Sequence, residues 1–411
     1  MGQTPRQRQG SPISLPVTYK KIGFLPVCAL FRVKAMPADQ PASTSFSRIL
    51  VIATRQIGDV LLTTPLIHAA RTRWPNARID VLGLPGTLGL LRGNADVAEL
   101  VEAPSGGGWA AQLVFAKRLW RCYDLALVTQ HSDRAHLYGW LAAPLRAGLL
   151  PKRTSTSWWK RRLLTHAVTI AGDRGHVHTA DEKLALIAPW RSEVDARVPV
   201  AVVPPAATAL PPDIDQLLAK RFVVVQVPSM WRYKQWPVAH FSVLVEALLA
   251  DGVQVVLTGS GSAGDREKVS ALLPLAAPPR LIDAAGRLDL NQLTSLLARA
   301  TLYIGPDTSV THLAAAVRVP MVTVFGPTNP MRWGPLPERD ASAPVYVKRD
   351  LAPQRAGRIV LMQGPGRASG DCVPCGRAGC DDHRESRSEC LEGITPAAVI
   401  AEARRALAQA A

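Results

Sequence analysis

Three short stretches hold the side chains best suited to chemistry. They are Arg55-Gln56-Ile57-Gly58-Asp59, Trp231-Arg232-Tyr233-Lys234-Gln235-Trp236, and Asp307-Thr308-Ser309 with His312 just beyond. Gly58 permits a tight turn and a close backbone approach to a ligand. A carboxylate held beside it, as in Asp59, can take a proton from an attacking hydroxyl, although an aspartate at a helix start also serves as a plain cap. Lys234 offers a cation for a diphosphate, or is one more surface lysine. Asp307, Thr308 and Ser309 are candidate N-cap residues for a helix running on through Val310, Leu313 and Val317. Free N–H groups at such a helix end favour phosphate. Asp265 and Glu267 follow the loop Gly259-Ser260-Gly261-Ser262-Ala263-Gly264, and either carboxylate suits a ribose hydroxyl. That glycine spacing alone is a weak signal. No Gly-x-x-x-x-Gly-Lys-Ser/Thr loop occurs, which argues against a P-loop hydrolase.

Each stretch sits between a short apolar run and a helical pattern. Residues 47–53 read as a buried strand, followed by a helix that ends near Trp74. Further strands are expected at 78–82, near 101 and at 124–129, with a helix over 109–123. Residues 130–178 are less regular and rich in Trp, Arg and His, and a helix is expected over 180–190. The proline-rich run 198–212 reads as a linker. A second series then places strands at 222–227, 253–258, 280–283, 302–304 and 321–325. Helices fall between these strands, and an alanine-rich helix closes the chain at 395–410. The pattern predicts an α/β protein with two mostly parallel, doubly wound halves facing a cleft. Open sheets of this kind bind ligands at the carboxyl ends of their strands, where Asp59, Lys234 and Asp307 all fall.

Length and charge narrow the classes. A chain of 411 residues accommodates two ordinary domains. The expected boundaries are 1–45 for a disordered basic extension, 46–205 and 206–392 for the two halves, and 393–411 for the last helix. The balance of 48 Lys and Arg against 32 Asp and Glu gives a net charge of +16, which favours an anionic partner. No nucleic-acid-binding signature accompanies it, so no nucleic-acid partner is expected. No apolar run reaches the ~20 residues of a membrane span. Residues 22–31 form a short apolar run behind Lys20 and Lys21, but Arg32 and Lys34 follow too soon for a signal peptide. The reading is a cytoplasmic protein with an extension upstream of a true start at Met36.

Trp158-Trp159-Lys160-Arg161-Arg162 is a basic and aromatic cluster suited to an anionic, partly apolar surface. The alternative is an ordinary loop with its tryptophans packed on the domain. Cys372, Cys375, Cys380 and Cys390 lie close together in the tail. They read either as metal ligands of unusual spacing or as a thiol-rich structural loop.

Taken together, ILVIATRQIGDVLLTTPL, WPNARIDVLG, LLRGNADV, YKQWP and GPDTSVTHLAAAVRVPMVTVFGPTNPMRWGP resemble the bacterial heptosyltransferases of glycosyltransferase family 9. These enzymes build the inner core of lipopolysaccharide from ADP-heptose. The resemblance runs from about Arg48 to Ala408, and the tail CVPC…GC…SECL is similar to the heptosyltransferase III branch. It implies the GT-B architecture, with two Rossmann-like domains facing a cleft and inverting transfer without a metal or other cofactor. By the family pattern Asp59 matches the catalytic base and Lys234 the lysine that holds the donor phosphates. Asp307, Thr308 and His312 match a donor-binding Asp-Thr-Gly-x-x-His segment, with Ser309 in place of the glycine. Asp265 or Glu267 falls at the ribose-binding carboxylate, and Leu288 where an apolar residue meets adenine. Arg55, Gln56, Gly58, Trp158, Lys160 and Arg161 are expected on the acceptor side, in residues 46–205, with 206–392 binding the ADP-sugar. The implied partners are the ADP-sugar donor, a phosphorylated lipid A-core acceptor and the anionic inner-membrane surface, with the enzyme peripheral to that membrane. Transfer of another nucleotide-linked sugar, or nucleotide binding without catalysis, are the alternative functions.

Overall fold

In the computed structural model the described residues are 44–106, 108–151, 157–170, 172, 175–191, 200–339, 345–366 and 372–410. Nearly all of the expected extension over 1–45 therefore lies outside the described residues. Six parallel strands form the first sheet: β1 (Arg48–Ala53), β2 (Arg78–Gly83), β3 (Glu99–Glu102), β4 (Leu125–Val128), β5 (Leu145–Leu150) and β6 (His166–Thr169). Their order is β3-β2-β1-β4-β5-β6. The second sheet contains β7 (Phe222–Gln226), β8 (Gln254–Thr258), β9 (Leu281–Asp283), β10 (Leu302–Pro306), β11 (Met321–Phe325), β12 (Gln354–Ala356) and β13 (Ile359–Gln363), in the order β12-β13-β11-β10-β7-β8-β9. Only β12 runs antiparallel to its neighbour. The central strands are unbroken apolar runs because helices cover both faces of each sheet. In β1, Ile49 through Ala53 are fully buried.

Two expectations need correction. Residues 130–178 are regular after all: helix Asp133–Ala142, strand β5, helix Trp158–Leu163 and strand β6 fall there. Strand β5 was obscured by Arg146, its second residue. Its guanidinium is buried, donating to the carbonyls of Leu163 and, at 2.7 Å, Ala143. Burial lowers its pKa to about 10. The run 198–212 is no loose linker. Val200 pairs with Arg339 in a short antiparallel bridge, and Val202 and Leu210 are buried. Val203 N–H donates to Thr64 at 2.9 Å, while Asn291 donates to the Ala206 carbonyl at 2.6 Å. Prolines remove donors from this segment, but its remaining polar groups are tied to both halves.

The first helix is also shorter than its pattern suggests. It spans Ile57–Leu61, and a second helix begins at Thr64 with Pro65 in its first turn. Proline fits there because the first N–H groups of a helix have no partner inside it. One apolar core joins the halves, running from Leu61 and Leu66 under the first sheet to Leu297 and Leu313 under the second. A second core lies on the far face of the second sheet, where helix Pro396–Gln409 packs beside helix Val238–Ala250. Arg404 fastens the two helices through Asp251 at 2.7 and 2.9 Å.

Candidate active site

The carboxyl ends of β1 and β10 deliver two helix starts to one place. Helix Ile57–Leu61 follows β1, and helix Ser309–Ala316 follows β10. They meet at Gly58. A Cβ added there would stand 3.6 Å from the Ser309 Cβ and 3.9 Å from the His312 ring. A single Cβ would thus sit in ordinary van der Waals contact, and only a larger side chain would force the two helix starts apart. Thr308 caps the second helix by accepting from Val310 N–H at 3.1 Å. The expected N-cap role of Asp59 is not what is seen: Gln56 holds that position with extended backbone, and Asp59 lies in the first turn.

Lys234 comes from the single turn Arg232–Lys234 after β7. Its ammonium lies 2.7 Å from the Asp307 carboxylate and keeps 23% of its side-chain surface open. Burial opposes the charge on Lys234, but Asp307 outweighs it and holds the ammonium above its ordinary pKa. Burial likewise favours the neutral form of Asp307, and Lys234 overrides it, holding the carboxyl below its ordinary range. His312 is buried, and its Nδ1 finds no hydrogen-bond partner among the described residues. Burial pushes its pKa down to about 4, so the imidazole is neutral at pH 7. The charge of Asp59 acts on both Lys234 and His312, although the three come from two different halves. Arg55 approaches Asp59 at 3.7 Å and is itself half exposed.

Lys183 has no counterpart in the sequence reading. This buried lysine, from helix Thr179–Leu184, donates to the Asp59 carbonyl at 2.6 Å. Burial pushes its pKa down to about 8, against the pull of Asp59. Its neighbour Glu182 forms a two-pronged, buried ion pair with Arg332 of the second half at 2.7 and 2.9 Å. Three more contacts cross the same junction. His178 Nε2 bonds to the Gly334 carbonyl at 3.0 Å, Asn329 donates to the Gly175 carbonyl at 2.8 Å, and Arg339 donates to Asp181 at 2.5 Å. No spacing rule reveals these residues, because each partner lies some 150 positions away.

The remaining expected residues divide. Asp265 turns back on its own loop, accepting from Ser260 N–H at 3.0 Å and the Ser260 hydroxyl at 2.6 Å. Glu267 is exposed on the following helix. Leu288 is half-buried against the shared core, just before helix Leu290–Arg299. Gly286, at a φ of +69°, brings the turn after β9 against Gly261; a Cβ there would come within 2.6 Å of the Gly261 Cα. Gln56 is exposed beside Arg55. The cluster at 158–162 is a short helix rather than an open basic loop. Lys160 points inward, 2.7 Å from Asp133 and 2.8 Å from the His131 carbonyl, so its charge is not presented to a ligand. Arg161 is half-buried, and Trp158 is exposed with Arg162 stacked on it at 5.0 Å. In the tail, Cys372, Cys375, Cys380 and Cys390 line one cavity of about 450 Å³ with Lys348 and Arg377. Burial pushes the Cys390 thiol up to about 12. Among the described residues no three His, Cys, Asp or Glu side chains converge as a metal site.

Comparison with known proteins fits this geometry. Lipopolysaccharide heptosyltransferase 3 of Escherichia coli is 28% identical over 287 residues, covering 68% of this chain and 83% of its own. The structure of E. coli ADP-heptose lipopolysaccharide heptosyltransferase II superposes with a TM-score of 0.64 at 22% identity, covering 88% of this chain and 99% of that one. An E. coli heptosyltransferase, WaaC, with ADP-2-deoxy-2-fluoro heptose gives a TM-score of 0.60 at 19% identity, covering 87% and 99%. The two facing sheets are thus the GT-B architecture. The sequence profile of glycosyltransferase family 9 (heptosyltransferase) matches residues 113–350, more than half of the chain. With the fold, the relatives and the profile in agreement, the chain belongs to glycosyltransferase family 9, the heptosyltransferases.

Proposed function

We propose that this glycosyltransferase moves heptose from ADP-heptose to the inner core of lipopolysaccharide, with inversion at the anomeric carbon. The observation that carries the residue roles is the approach of Gly58, beside Asp59, to Ser309 and His312, with Lys234 held 2.7 Å from Asp307. Asp59 takes the proton from the acceptor hydroxyl as its oxygen attacks the anomeric carbon. The bond from that carbon to the diphosphate oxygen breaks, and ADP leaves with the electron pair. Lys234 and the helix start at Thr308 and Ser309 face the charge that develops on the diphosphate, while Asp307 holds Lys234 in place. Lys234 then exchanges part of its bond to Asp307 for the ligand. Asp265 or Glu267 holds the ribose, Leu288 packs on adenine, and neutral His312 offers a ring nitrogen to the donor. The half from 46 to 205 takes the acceptor, with Arg55, Gln56, Gly58 and Arg161 at its mouth, and 206–392 takes the donor. The leaving group is neutralised by the protein itself, so turnover is expected to persist in EDTA. The enzyme works at the cytoplasmic face of the inner membrane; no helix among the described residues is long and apolar enough to cross it.

Calorimetry with ADP, UDP and GDP tests the donor, and a preference for UDP or GDP would overturn it. Asp59→Ala is expected to lower transfer ~10²-fold or more while ADP still binds. Lys234→Ala is expected to weaken ADP binding, and unchanged affinity would remove Lys234 from the phosphate site.

A further inference from the structure

Helix Gly108–Leu119 turns its apolar side chains the wrong way for a soluble fold. Of its large apolar residues only Phe115 and Leu119 are buried. Trp109 is 80% exposed, Val114 69% and Leu113 47%. Trp120, just past the helix end, is also exposed and lies edge-on to Trp140 at 5.7 Å. The feature continues on neighbouring helices, with Leu137 exposed on Asp133–Ala142 and Trp158 on Trp158–Leu163. Phe115 anchors the first helix on Tyr138 of the second at 5.3 Å.

Cations rim these rings. Lys117, Arg118 and Arg121 are exposed on the first segment. Arg121 lies 5.6 Å over the Trp120 ring, and Arg162 stacks on Trp158. Exposed aromatic and aliphatic groups edged by Lys and Arg fit the interface of an anionic bilayer, where rings sit at headgroup depth and cations meet phosphates. The helix also begins in the loop after the carboxyl end of β3, the same edge of the first sheet that carries Asp59.

We propose that helix Gly108–Leu119 docks on an anionic membrane surface, inserting Trp109, Leu113, Val114 and Trp120 while Lys117 and Arg121 bind headgroup phosphates. This deepens the assignment of a lipid-linked acceptor and rests on it only for the identity of the membrane. The surface stands whichever sugar is moved.

Flotation with phosphatidylcholine vesicles, with and without phosphatidylglycerol, tests it. The full chain is expected to float with the phosphatidylglycerol vesicles, less with phosphatidylcholine alone, and less at high salt. Trp109→Ser with Val114→Ser is expected to lower the bound fraction about tenfold. Lys117→Glu with Arg121→Glu is expected to abolish the preference for phosphatidylglycerol. Both variants should keep wild-type ADP affinity and melting temperature, because none of the four side chains is buried. Wild-type flotation of the serine variant would overturn the proposal, as would failure of the wild-type chain to bind either vesicle. So would a dimer in light scattering that the serine variant dissolves without any vesicle binding. A nucleotide preference other than ADP would overturn the donor assignment and leave the vesicle result standing.

Discussion

Lys183 donates to the main-chain carbonyl of Asp59 at 2.6 Å, joining two residues 124 positions apart. The bond ties helix Ile57–Leu61 to helix Thr179–Leu184 and fixes where the Asp59 carboxylate starts. Lys183 touches no reacting atom in this arrangement; it is a positioning residue. Lys183→Met keeps the stem and removes the donor. Transfer is expected to drop about tenfold with ADP affinity retained, read as a fall in kcat at constant donor KM. The pH dependence separates this from a loss of folding alone. The folded pKa of Lys183, about 8, lies below its ordinary 10.5. The unfolded chain therefore binds the extra proton between those values, and stability rises with pH across that window. Melting curves should show the wild type gaining on Lys183→Met from pH 8 upward.

The ion pair between Glu182 and Arg332 is almost fully enclosed, at 4% and 6% exposure. Removing one partner strands a buried charge, which costs about 3–5 kcal/mol. Arg332→Met is expected to destabilise by that amount in urea melts, and Glu182→Gln by less. Replacing both by apolar residues is expected to recover most of the loss. A double-mutant cycle with no coupling would show that the pair does not hold the halves together.

Position 58 predicts a graded response. A single Cβ meets its neighbours at 3.6 Å or more, so Gly58→Ala should fold with near wild-type stability. Gly58→Leu must push helix Ser309–Ala316 away, and transfer is expected to fall at least tenfold. Adding Ser309→Gly to that variant removes the facing Cβ and should restore part of the rate. Activity assays of the two single variants and the double variant decide it.

Acid should open the junction between the halves. His178 accepts from Ala180 N–H through Nδ1, so Nε2 carries the proton given to the Gly334 carbonyl. Burial pushes its pKa down to about 3. The unfolded chain then binds protons that the folded one refuses between about pH 6.5 and 3, and stability falls as the pH drops through that range. His312, at about 4, adds to the same trend. Thermal melts from pH 7 to 4 should fall steadily, and His178→Gln should flatten the curve.

The strands that frame the site were legible because apolar runs such as Met321–Phe325 are read directly from residue type. Thr308 as a cap was legible for the same local reason. Strand β5 was hidden by Arg146, whose charge is answered only by carbonyls supplied through the folded chain. Lys160 looked like a ligand-facing cation until Asp133 and the His131 carbonyl enclosed it. Lys183 and Glu182 were beyond reach for a related reason: Thr-Ala-Asp-Glu-Lys-Leu reads as a surface helix, and distant partners, Asp59 for Lys183 and Arg332 for Glu182, make it an interior one. Local chemistry names the strands and caps; charge burial is decided by distant partners.

The loop that carries Lys234 is fastened by late residues. Ser388 donates to the Tyr233 carbonyl at 2.7 Å, and Trp236 donates to the Ile394 carbonyl at 2.9 Å. On the ribosome, Asp59, Lys234, Asp307 and His312 all emerge before either fastening exists. A nascent chain stalled after residue 340 would hold every candidate site residue yet leave the lysine's turn unclamped. The turn that carries Lys234 is therefore completed only when residues 388–394 have folded onto it.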